Sequence, residues 1–256
     1  MRLPRRLEAV LRQVIPGSVV ADIGTGHGLL ALALVKRGLA SRVIATERSP
    51  GPLAEAERLL AGVEEGRIAL REGWGLAPLS PGEAAVLVLA GMGGDTVCAI
   101  LDAGLDVARS ARQLVLQPQN KPDAVRRWLL THGFTLAAED LVAERGHFYP
   151  VVGAVPALQA VSPGATLEAQ LEAFARRQNL PPVPASRLLE IGPLLLAKRH
   201  PVLRMQLRQR IAAARGVAGR LARLGTPRAT QRLQAVREEL HWLEMMEEWV
   251  SRSAPS

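Results

Sequence analysis

Apolar residues in the first 155 positions occur either as short continuous runs or at helical spacing. The runs predict strands at 19–24, 42–47, 67–70, 85–90, 113–117 and 147–155, and the helical spacing predicts helices at 29–36, 52–60 and 122–130. Every residue of the 85–90 run is apolar, which is typical of a central parallel strand covered on both faces. The alternation of strand and helix predicts an α/β domain with a doubly wound parallel sheet.

The pattern changes after residue 156. Two stretches, 162–164 (Ser-Pro-Gly) and 181–184 (Pro-Pro-Val-Pro), are rich in turn-forming residues and flank one short helical segment. Such composition predicts a linker at 156–186 rather than a further part of the sheet.

Farther on, apolar residues recur at steps of four and three along two successive segments. Their positions are 207, 211, 214, 218 and 221 in the first segment and 229, 233, 236, 240 and 243 in the second. Gly225-Thr226-Pro227 separates the segments as a helix stop followed by a helix start. The chain is thus predicted to consist of a domain at 1–155, the linker, and a C-terminal antiparallel helical hairpin, a short coiled coil, at 187–256.

Length and composition fit this division and limit the class of protein. With 256 residues, 48% of them hydrophobic, the chain can bury the core of one α/β domain and a smaller module. No uncharged apolar run reaches the roughly 18 residues of a membrane span, and the basic N-terminus reaches Glu8 too early for a signal peptide. Cys98 is the sole cysteine, which excludes an intramolecular disulfide and suits a reducing compartment. We therefore expect a cytoplasmic protein without membrane contact.

Positive charge is concentrated in the predicted hairpin. The net charge is +8, yet residues 198–237 contain eleven lysines and arginines and no acidic residue, which leaves −3 for the rest of the chain. Such a segment predicts a surface for a polyanion such as RNA, because a helix that faces only solvent usually mixes both signs. The alternative is a solvated helix face without a partner.

Glycines cluster where the first predicted strand meets its helix. The sequence Asp22-Ile23-Gly24-Thr25-Gly26-His27-Gly28 is typical of a loop whose backbone approaches a nucleotide cofactor. Alone, this loop suits NAD, FAD or S-adenosylmethionine. Asp22 favours S-adenosylmethionine, because a carboxylate suits a cationic ammonium and sulfonium better than a pyrophosphate. Glu47 ends the second strand, where an acid can accept hydrogen bonds from both ribose hydroxyls.

A set of motifs in a fixed order resembles one family. The motifs are Ala21-Asp22-Ile23-Gly24, His27, Glu47 with Gly51-Pro52, Ala90-Gly91-Met92-Gly93-Gly94, Leu116-Gln117-Pro118, and Ile191-Gly192-Pro193-Leu194-Leu195 with Lys198. In this order they resemble the bacterial tRNA adenine-N1 methyltransferases that modify the D-arm adenine at tRNA position 22. The resemblance covers nearly the whole chain. It implies a Rossmann-like class I methyltransferase fold, S-adenosylmethionine as cofactor and tRNA as partner.

Site residues follow from the loops, the resemblance and the charge pattern together. Those expected to bind the cofactor are Asp22, Gly24, Thr25, Gly26, His27, Glu47, Gly73, Trp74, Ala90, Gly91 and Met92. Those expected beside the substrate adenine are His27, Met92 and Gln117, with Asn120 assisting Gln117 at the adenine edge. Those expected to bind RNA are Arg5, Arg6, Lys198, Arg199, Arg204, Arg208, Arg215 and Arg220.

Two positions depart from the family. Gly26 stands where the family has Asp before the histidine, and Trp74 stands between Gly73 and Gly75 where the family carries Asp or Asn. In related folds the latter position bonds the adenine amine of the cofactor, and an indole cannot accept that bond because it is only a donor. Trp74 could instead stack on the adenine ring, or pack at the rim of the site while a backbone carbonyl replaces the lost bond.

The reaction that the resemblance implies needs few side chains. Neutral adenine has a lone pair on N1, so attack on a sulfonium methyl group needs alignment and exclusion of water rather than a general base. Accordingly, the chain has no Ser-His-Asp set and no metal-spaced cluster of histidines and cysteines, and we expect no metal. His27 is expected to orient the base, to contact the cofactor or to cap its own loop. Asp95 is expected to cap the helix that follows Gly94.

Two other functions stay open. A methyltransferase that acts on a small molecule or a protein could use the hairpin for assembly, although the basic charge would then have no use. A noncatalytic RNA-binding protein could have kept the fold while Gly26 and Trp74 weakened cofactor binding. The oligomeric state is also open, with a monomer favoured.

Overall fold

The computed structural model of the chain describes residues 3–157 and 166–252. The chain divides into two compact units, Met1–Leu167 and Glu168–Ser256. The Ser-Pro-Gly stretch at 162–164, predicted as part of a linker, lies outside the described residues. Within the described residues, no helix combines the length and the apolar character needed to cross a bilayer.

The first unit alternates strands with helices. The strands are β1 (Ser18–Ile23), β2 (Ala40–Glu47), β3 (Ile68–Glu72), β4 (Val86–Met92), β5 (Gln113–Pro118), β6 (Phe134–Glu144) and β7 (His147–Pro156). The helices are α1 (Arg5–Gln13), α2 (Leu29–Lys36), α3 (Pro50–Leu60), α4 (Gly94–Ala103), α5 (Leu105–Ser110) and α6 (Pro122–Thr131).

The strands form one sheet in the order β3-β2-β1-β4-β5-β7-β6. Strands β1 to β5 pair in parallel, whereas β7 runs antiparallel to both β5 and β6. The predicted Rossmann-like, doubly wound sheet is confirmed. The expectation of an all-parallel sheet is wrong for β7, which runs opposite to the other six strands, because a hairpin rather than a helical crossover connects β6 to β7.

Both faces of the sheet are covered by helices. Along β4, Leu87 and Leu89 belong to a core cluster with residues of α4 and α6, whereas Val86 and Val88 belong to a second cluster with residues of α1 and α2. None of these four residues has exposed surface. The uninterrupted apolar run of β4 is therefore the consequence of burial on two sides.

Strand β6 is an element that the apolar pattern does not predict. Glu139 and Asp140 interrupt its apolar positions, so it lacks a clear period of two. It is held along its length by pairing with β7. The two connecting residues, Arg145 and Gly146, have φ of 51° and 80°, as a type I′ hairpin turn requires.

The second unit is helical where it is described. Its helices are α7 (Leu167–Arg177), α8 (Ala185–Ile191), α9 (Pro193–Ala197), α10 (Pro201–Leu224) and α11 (Pro227–Ser251). Helices α10 and α11 form the predicted hairpin, which is thereby confirmed. The chain leaves α10 through Gly225 in the left-handed region (φ 61°), and the hydroxyl of Thr226 accepts a hydrogen bond from the Ala229 N–H to cap α11.

Candidate cofactor and substrate site

The strand order reverses between β1 and β4, which opens a crevice outside the carboxyl ends of these two strands. Ligands of doubly wound sheets bind at such a switch point. The loop after β1 and the end of β4 approach each other there: a β-carbon on Gly24 would lie 3.0 Å from Cε of Met92. Two of the segments predicted to bind the cofactor therefore lie at one crevice.

Glycine conformation shapes the loop after β1. Gly24, Gly26 and Gly28 have φ of 66°, 59° and 77°, in the left-handed region that other residues enter only with strain. The N–H of Thr25 donates to the carbonyl of Thr46 on β2 over 2.9 Å, which ties the loop to the neighbouring strand. The backbone of this loop is thus fixed at the mouth of the crevice.

Asp22 lies near the end of β1 with only 3% of its surface exposed. Burial raises the pKa of its carboxyl from 3.8 to about 6, although the Thr25 hydroxyl, which donates over 2.6 Å, and the Ala31 N–H favour the charged form. The charge of Glu47 adds to the rise. A carboxyl kept partly neutral by burial gains charge when a cation binds beside it, so this site is suited to a cationic ligand.

Glu47 ends β2 and is also buried, with 8% of its surface exposed. One carboxylate oxygen accepts from the Gly26 N–H (3.1 Å), and the other accepts from the N–H groups of Arg48 (2.9 Å) and Ser49 (2.8 Å). Burial raises its pKa, but these bonds outweigh burial and hold the pKa below its ordinary 4.5. A carboxylate has about four acceptor positions, so Glu47 must share or release a backbone bond to accept both ribose hydroxyls.

Trp74 follows β3 between two glycines with positive φ, Gly73 (154°) and Gly75 (56°). A β-carbon on Gly73 would overlap Pro78, and one on Gly75 would lie 2.7 Å from Cγ2 of Ile100. The indole is half-buried and packs against the core cluster that lines one face of the sheet. The indole thus packs at the edge of the core, and its stacking on the cofactor's adenine stays a prediction.

The end of β4 is joined closely to the loop after β5. The Gln119 N–H donates to the carbonyl of Met92 (2.9 Å), and the Gly94 N–H donates to Oδ1 of Asn120 (3.0 Å). A β-carbon on Gly94 would lie 2.6 Å from the carbonyl oxygen of Lys121, so no larger residue fits there. The two loops therefore hold each other in place at the crevice.

Gln117 joins the end of β5 to the end of β4. Its side chain is fully buried. Its amide oxygen accepts from the Gly91 N–H (3.2 Å), and its amide nitrogen donates to the carbonyl of Pro118 (3.1 Å). Gln117 therefore holds the Gly91 turn, and its contact with the substrate adenine stays a prediction.

The expectation that Asp95 caps α4 is wrong. The helix begins at Gly94 and the capping residue is Gly93, which has no side chain to bond the first turn; the Gly94 N–H donates instead to Oδ1 of Asn120. Asp95 lies inside the first turn and pairs with Lys121 across the two loops. Lys121 itself has a φ of 45°, a conformation that the sequence gives no signal for.

His27 is exposed beside the glycine-rich loop and pairs through Nδ1 with Glu55 of α3. Together with Leu29, Arg58 and Leu59 these two residues line an open cavity of about 500 Å³. Because Glu55 takes Nδ1, any further hydrogen bond of the His27 ring would be made through Nε2. Glu55 was not singled out by the sequence, because an acid on a solvent-facing helix position carries no distinguishing pattern.

Residues 3–152 match the family described as a methyltransferase domain. This match covers more than half of the chain and all of the crevice described above. The chain belongs to this methyltransferase family.

Relatives of this methyltransferase chain include named enzymes. A Bacillus subtilis (strain 168) tRNA (adenine(22)-N(1))-methyltransferase is 35% identical over 154 residues, which are 59% of this chain and 64% of the relative. The match thus spans just under two thirds of that relative's length. The crystal structure of the Bacillus subtilis tRNA methyltransferase TrmK has a TM-score of 0.75 at 26% identity and covers 98% of this chain and 99% of that chain.

A Streptococcus pneumoniae protein in complex with S-adenosyl-L-methionine has a TM-score of 0.73 at 26% identity. It covers 97% of this chain and 100% of that chain. These matches confirm the resemblance and the fold class that the motifs predicted.

The basic residues expected to bind RNA differ in their present partners. Arg6 pairs with Glu144 (3.2 Å), and the backbone N–H of Arg5 donates to the same carboxylate (2.9 Å). Arg199 lies over the ring of Trp249 at 4.6 Å, and Lys198 beside it is exposed. The remaining four, Arg204, Arg208, Arg215 and Arg220, lie on α10.

Proposed function

We propose that this chain transfers a methyl group from S-adenosylmethionine to N1 of the adenine at position 22 of tRNA. The observation that carries the proposal is the 35% identity to the Bacillus subtilis enzyme of that name over 154 residues. The resemblance of the Ala-Gly-Met-Gly-Gly and Gln-Pro motifs points the same way. Since tRNA is the proposed substrate, we expect the enzyme to act in the cytoplasm.

The crevice has the chemistry that this cofactor needs. The buried carboxyl of Asp22 suits a cationic ligand, and the positive φ of Gly24 and Gly26 lets the backbone approach it. Glu47 offers its remaining acceptor position to a ribose hydroxyl. Trp74, at the rim, offers a ring face to the cofactor's adenine in place of the family's acid or amide. A Streptococcus pneumoniae structural relative is solved with this cofactor bound.

The proposed reaction needs no general base. The cofactor supplies an activated methyl group on a sulfonium. The N1 lone pair of adenine forms the new carbon–nitrogen bond as the carbon–sulfur bond breaks and its electron pair returns to sulfur. The work of the chain is to align the two groups and exclude water. Met92 and the Gly91 turn, held by Gln117 and the loop after β5, form the rigid wall that does so.

A label-transfer assay tests the proposal against its two rivals. The enzyme is incubated with S-adenosylmethionine carrying a labelled methyl group, together with tRNA, with protein extract or with small metabolites. Label should enter tRNA alone. Label in protein or metabolites would favour a different methyltransferase, and no cofactor binding in a calorimetric titration would favour a noncatalytic RNA-binding protein.

A further inference from the structure

The arginines of the hairpin fall into two groups with different surroundings. The stem arginines, nearer the start of α10, are Arg204, Arg208, Arg210 and Arg215. The tip arginines, which lie on either side of the turn at Gly225, are Arg220, Arg223, Arg228, Arg232 and Arg237. The two groups carry nearly the same charge, so net charge does not distinguish them.

The stem arginines are paired with acids of α11. Nε of Arg204 and Nε of Arg208 donate to the same oxygen of Glu247, over 3.0 Å and 2.8 Å. The Arg204 hydrogen bond is the largest influence on Glu247 and, with that of Arg208, holds the pKa of its carboxyl below the ordinary value despite burial. Both guanidinium groups are therefore already bonded to a carboxylate inside the hairpin.

The other two stem arginines are paired in the same way. Arg215 donates to Glu244 over 2.8 Å, and Arg210 donates to Glu239 over 3.3 Å and also to Glu190 of α8. Each of these bonds joins α10 to another helix. The stem arginines thus act as cross-links between helices, and a phosphate that approached them would compete with a carboxylate for the same guanidinium charge.

The tip arginines have no such partners. All five are exposed, and among the described residues none of them takes part in a hydrogen bond or an ion pair. No acid occurs between residues 191 and 237, so Arg220, Arg223, Arg228 and Arg232 have none within five residues along the chain, whereas Arg237 stands next to Glu238. Arg220 and Arg223 are three residues apart on α10, and Arg228 and Arg232 are four residues apart on α11. Like charges at these spacings are neighbours on the helix surface and destabilise the helix. This arrangement of charges therefore does not stabilise the hairpin itself.

We propose that the tip arginines, and not the stem arginines, bind the phosphate backbone of the RNA substrate. This inference rests on the proposed function for the identity of the polyanion. Guanidinium groups match the geometry of phosphate oxygens with two parallel hydrogen bonds, which favours arginine over lysine in such a surface. Along α11 the group extends from Arg228 to Arg237, about 14 Å at the rise of a helix, which is enough to reach several phosphates.

The proposal divides the RNA-binding residues that the sequence suggested on α10. Arg220 stays as a phosphate contact. Arg204, Arg208 and Arg215 become residues that hold the hairpin together, because their guanidinium groups are taken up by Glu247 and Glu244.

Two variants with equal charge change separate the groups. The tip variant combines Arg220→Gln, Arg223→Gln, Arg228→Gln and Arg232→Gln, and the stem variant combines Arg204→Gln, Arg208→Gln, Arg210→Gln and Arg215→Gln. Glutamine keeps helix propensity close to that of arginine. A third variant, Arg215→Gln with Glu244→Gln, removes a stem pair without changing net charge, and keeps the test available if the stem variant fails to fold. Binding of a tRNA transcript to each full-length protein is measured across a series of salt concentrations.

The tip variant should bind tRNA at least tenfold more weakly, with the slope of log affinity against log salt reduced by about 3, since each lost phosphate contact removes about 0.7–0.9. Its melting temperature should stay the same or rise, because repulsion is removed. The stem variant should lose less than 1 in slope but melt at a lower temperature. The charge-neutral pair variant should keep its slope.

An equal or larger loss of slope in the stem variant would overturn the proposal, as would a tip variant with unchanged affinity and slope. In the second case the next explanation is self-association, which the sedimentation of the wild-type protein would reveal. Methyl transfer by the wild type to tRNA is recorded in parallel. If the wild type transfers the methyl group but the tip and stem variants lose tRNA affinity equally, only the tip assignment is refuted. If tRNA binding depends on the tip arginines but no methyl group is transferred, only the proposed reaction is refuted.

Discussion

Asp22 and Glu47 are buried carboxyls at the same crevice, yet their surroundings move their pKa values in opposite directions. Burial dominates at Asp22 and raises its pKa to about 6. At Glu47 three backbone N–H groups outweigh burial and lower the pKa. Near neutral pH Glu47 is therefore a fixed charge that organises its loop, whereas Asp22 is a carboxyl that a cationic ligand can still bring to full ionisation.

The first prediction concerns stability and binding in the variant Asp22→Asn. A pKa raised from 3.8 to about 6 means that stability is present at low pH and is lost as the pH rises through the folded-state value. At pH 7.5 the loss amounts to about 2–3 kcal/mol, at roughly 1.4 kcal/mol per pKa unit. The neutral amide of the Asn side chain removes this loss of stability, so urea unfolding of the cofactor-free variant should show a higher free energy of unfolding than the wild type.

The same variant should bind S-adenosylmethionine about tenfold or more weakly in calorimetry, because a charge-assisted hydrogen bond is worth roughly 1.5–3 kcal/mol. Asp106→Asn, at an exposed position of α5, serves as the control and should leave binding unchanged. Equal cofactor affinity in Asp22→Asn and wild type would contradict the assignment of Asp22 to the cofactor.

A second prediction follows from the same pKa. Below pH 6 the Asp22 carboxyl is mostly protonated, and binding a cation then requires release of that proton. Cofactor affinity should therefore be nearly constant between pH 6.5 and 7.5 and fall by about tenfold per unit as the pH drops toward 5. Calorimetry in buffers of different ionisation enthalpy measures the proton released. A flat profile of cofactor affinity against pH, or a pH dependence that persists in Asp22→Asn, would show that another group controls binding.

At the scale of elements, the loop between β4 and α4 provides a third prediction. Gly94→Ala would put a β-carbon 2.6 Å from the carbonyl oxygen of Lys121 and 2.8 Å from that of Asn120, and neither backbone oxygen can move aside cheaply. We expect about 2 kcal/mol or more of lost stability and weakened methyl transfer, as overpacking typically produces. Gly51→Ala, where no atom lies within 4 Å, is the matched control and should be neutral. Equal melting temperatures for the two variants would show that the loops are not held together as described.

The same scale shows what the sequence could predict. Strands β1 and β4 were predicted within two residues of their observed bounds, since they are nearly uniform apolar runs. The apolar positions of the hairpin, 207–221 and 229–243, repeat every three to four residues and lie inside helices that extend farther, to 201–224 and 227–251. Strand β6 lacks a period because Glu139 lies among its buried residues, where it pairs with Arg126 over 2.6 Å. That pairing is a tertiary contact, and no local pattern encodes it.

At the site, residue type was easier to predict than residue contact. Asp22, Glu47 and the glycines follow from strand ends and backbone conformation, which short motifs specify. The amide of Gln117, by contrast, points to the Gly91 turn, and Glu55 reaches His27 from another helix. Such contacts depend on which loops the fold brings together.

For the whole molecule, the charge pattern likewise predicts residue types but not the contacts between them. An acid-free window of 198–237 suggests one uniformly basic surface. Folding brings Glu239, Glu244 and Glu247 to the stem arginines, whereas no acid of the described residues pairs with the tip arginines. The chain thus combines a methyltransferase crevice in one unit with a basic hairpin tip in the other, as an enzyme that modifies a nucleic acid requires.

The most direct test of this account is mass spectrometry of nucleosides from tRNA that has been incubated with the enzyme and labelled S-adenosylmethionine. Two transcripts are compared, one with adenine at position 22 and one with guanine in its place. We expect labelled N1-methyladenosine in the first transcript and none in the second. Label at another atom or another position, equal label in both transcripts, or none in either would contradict it.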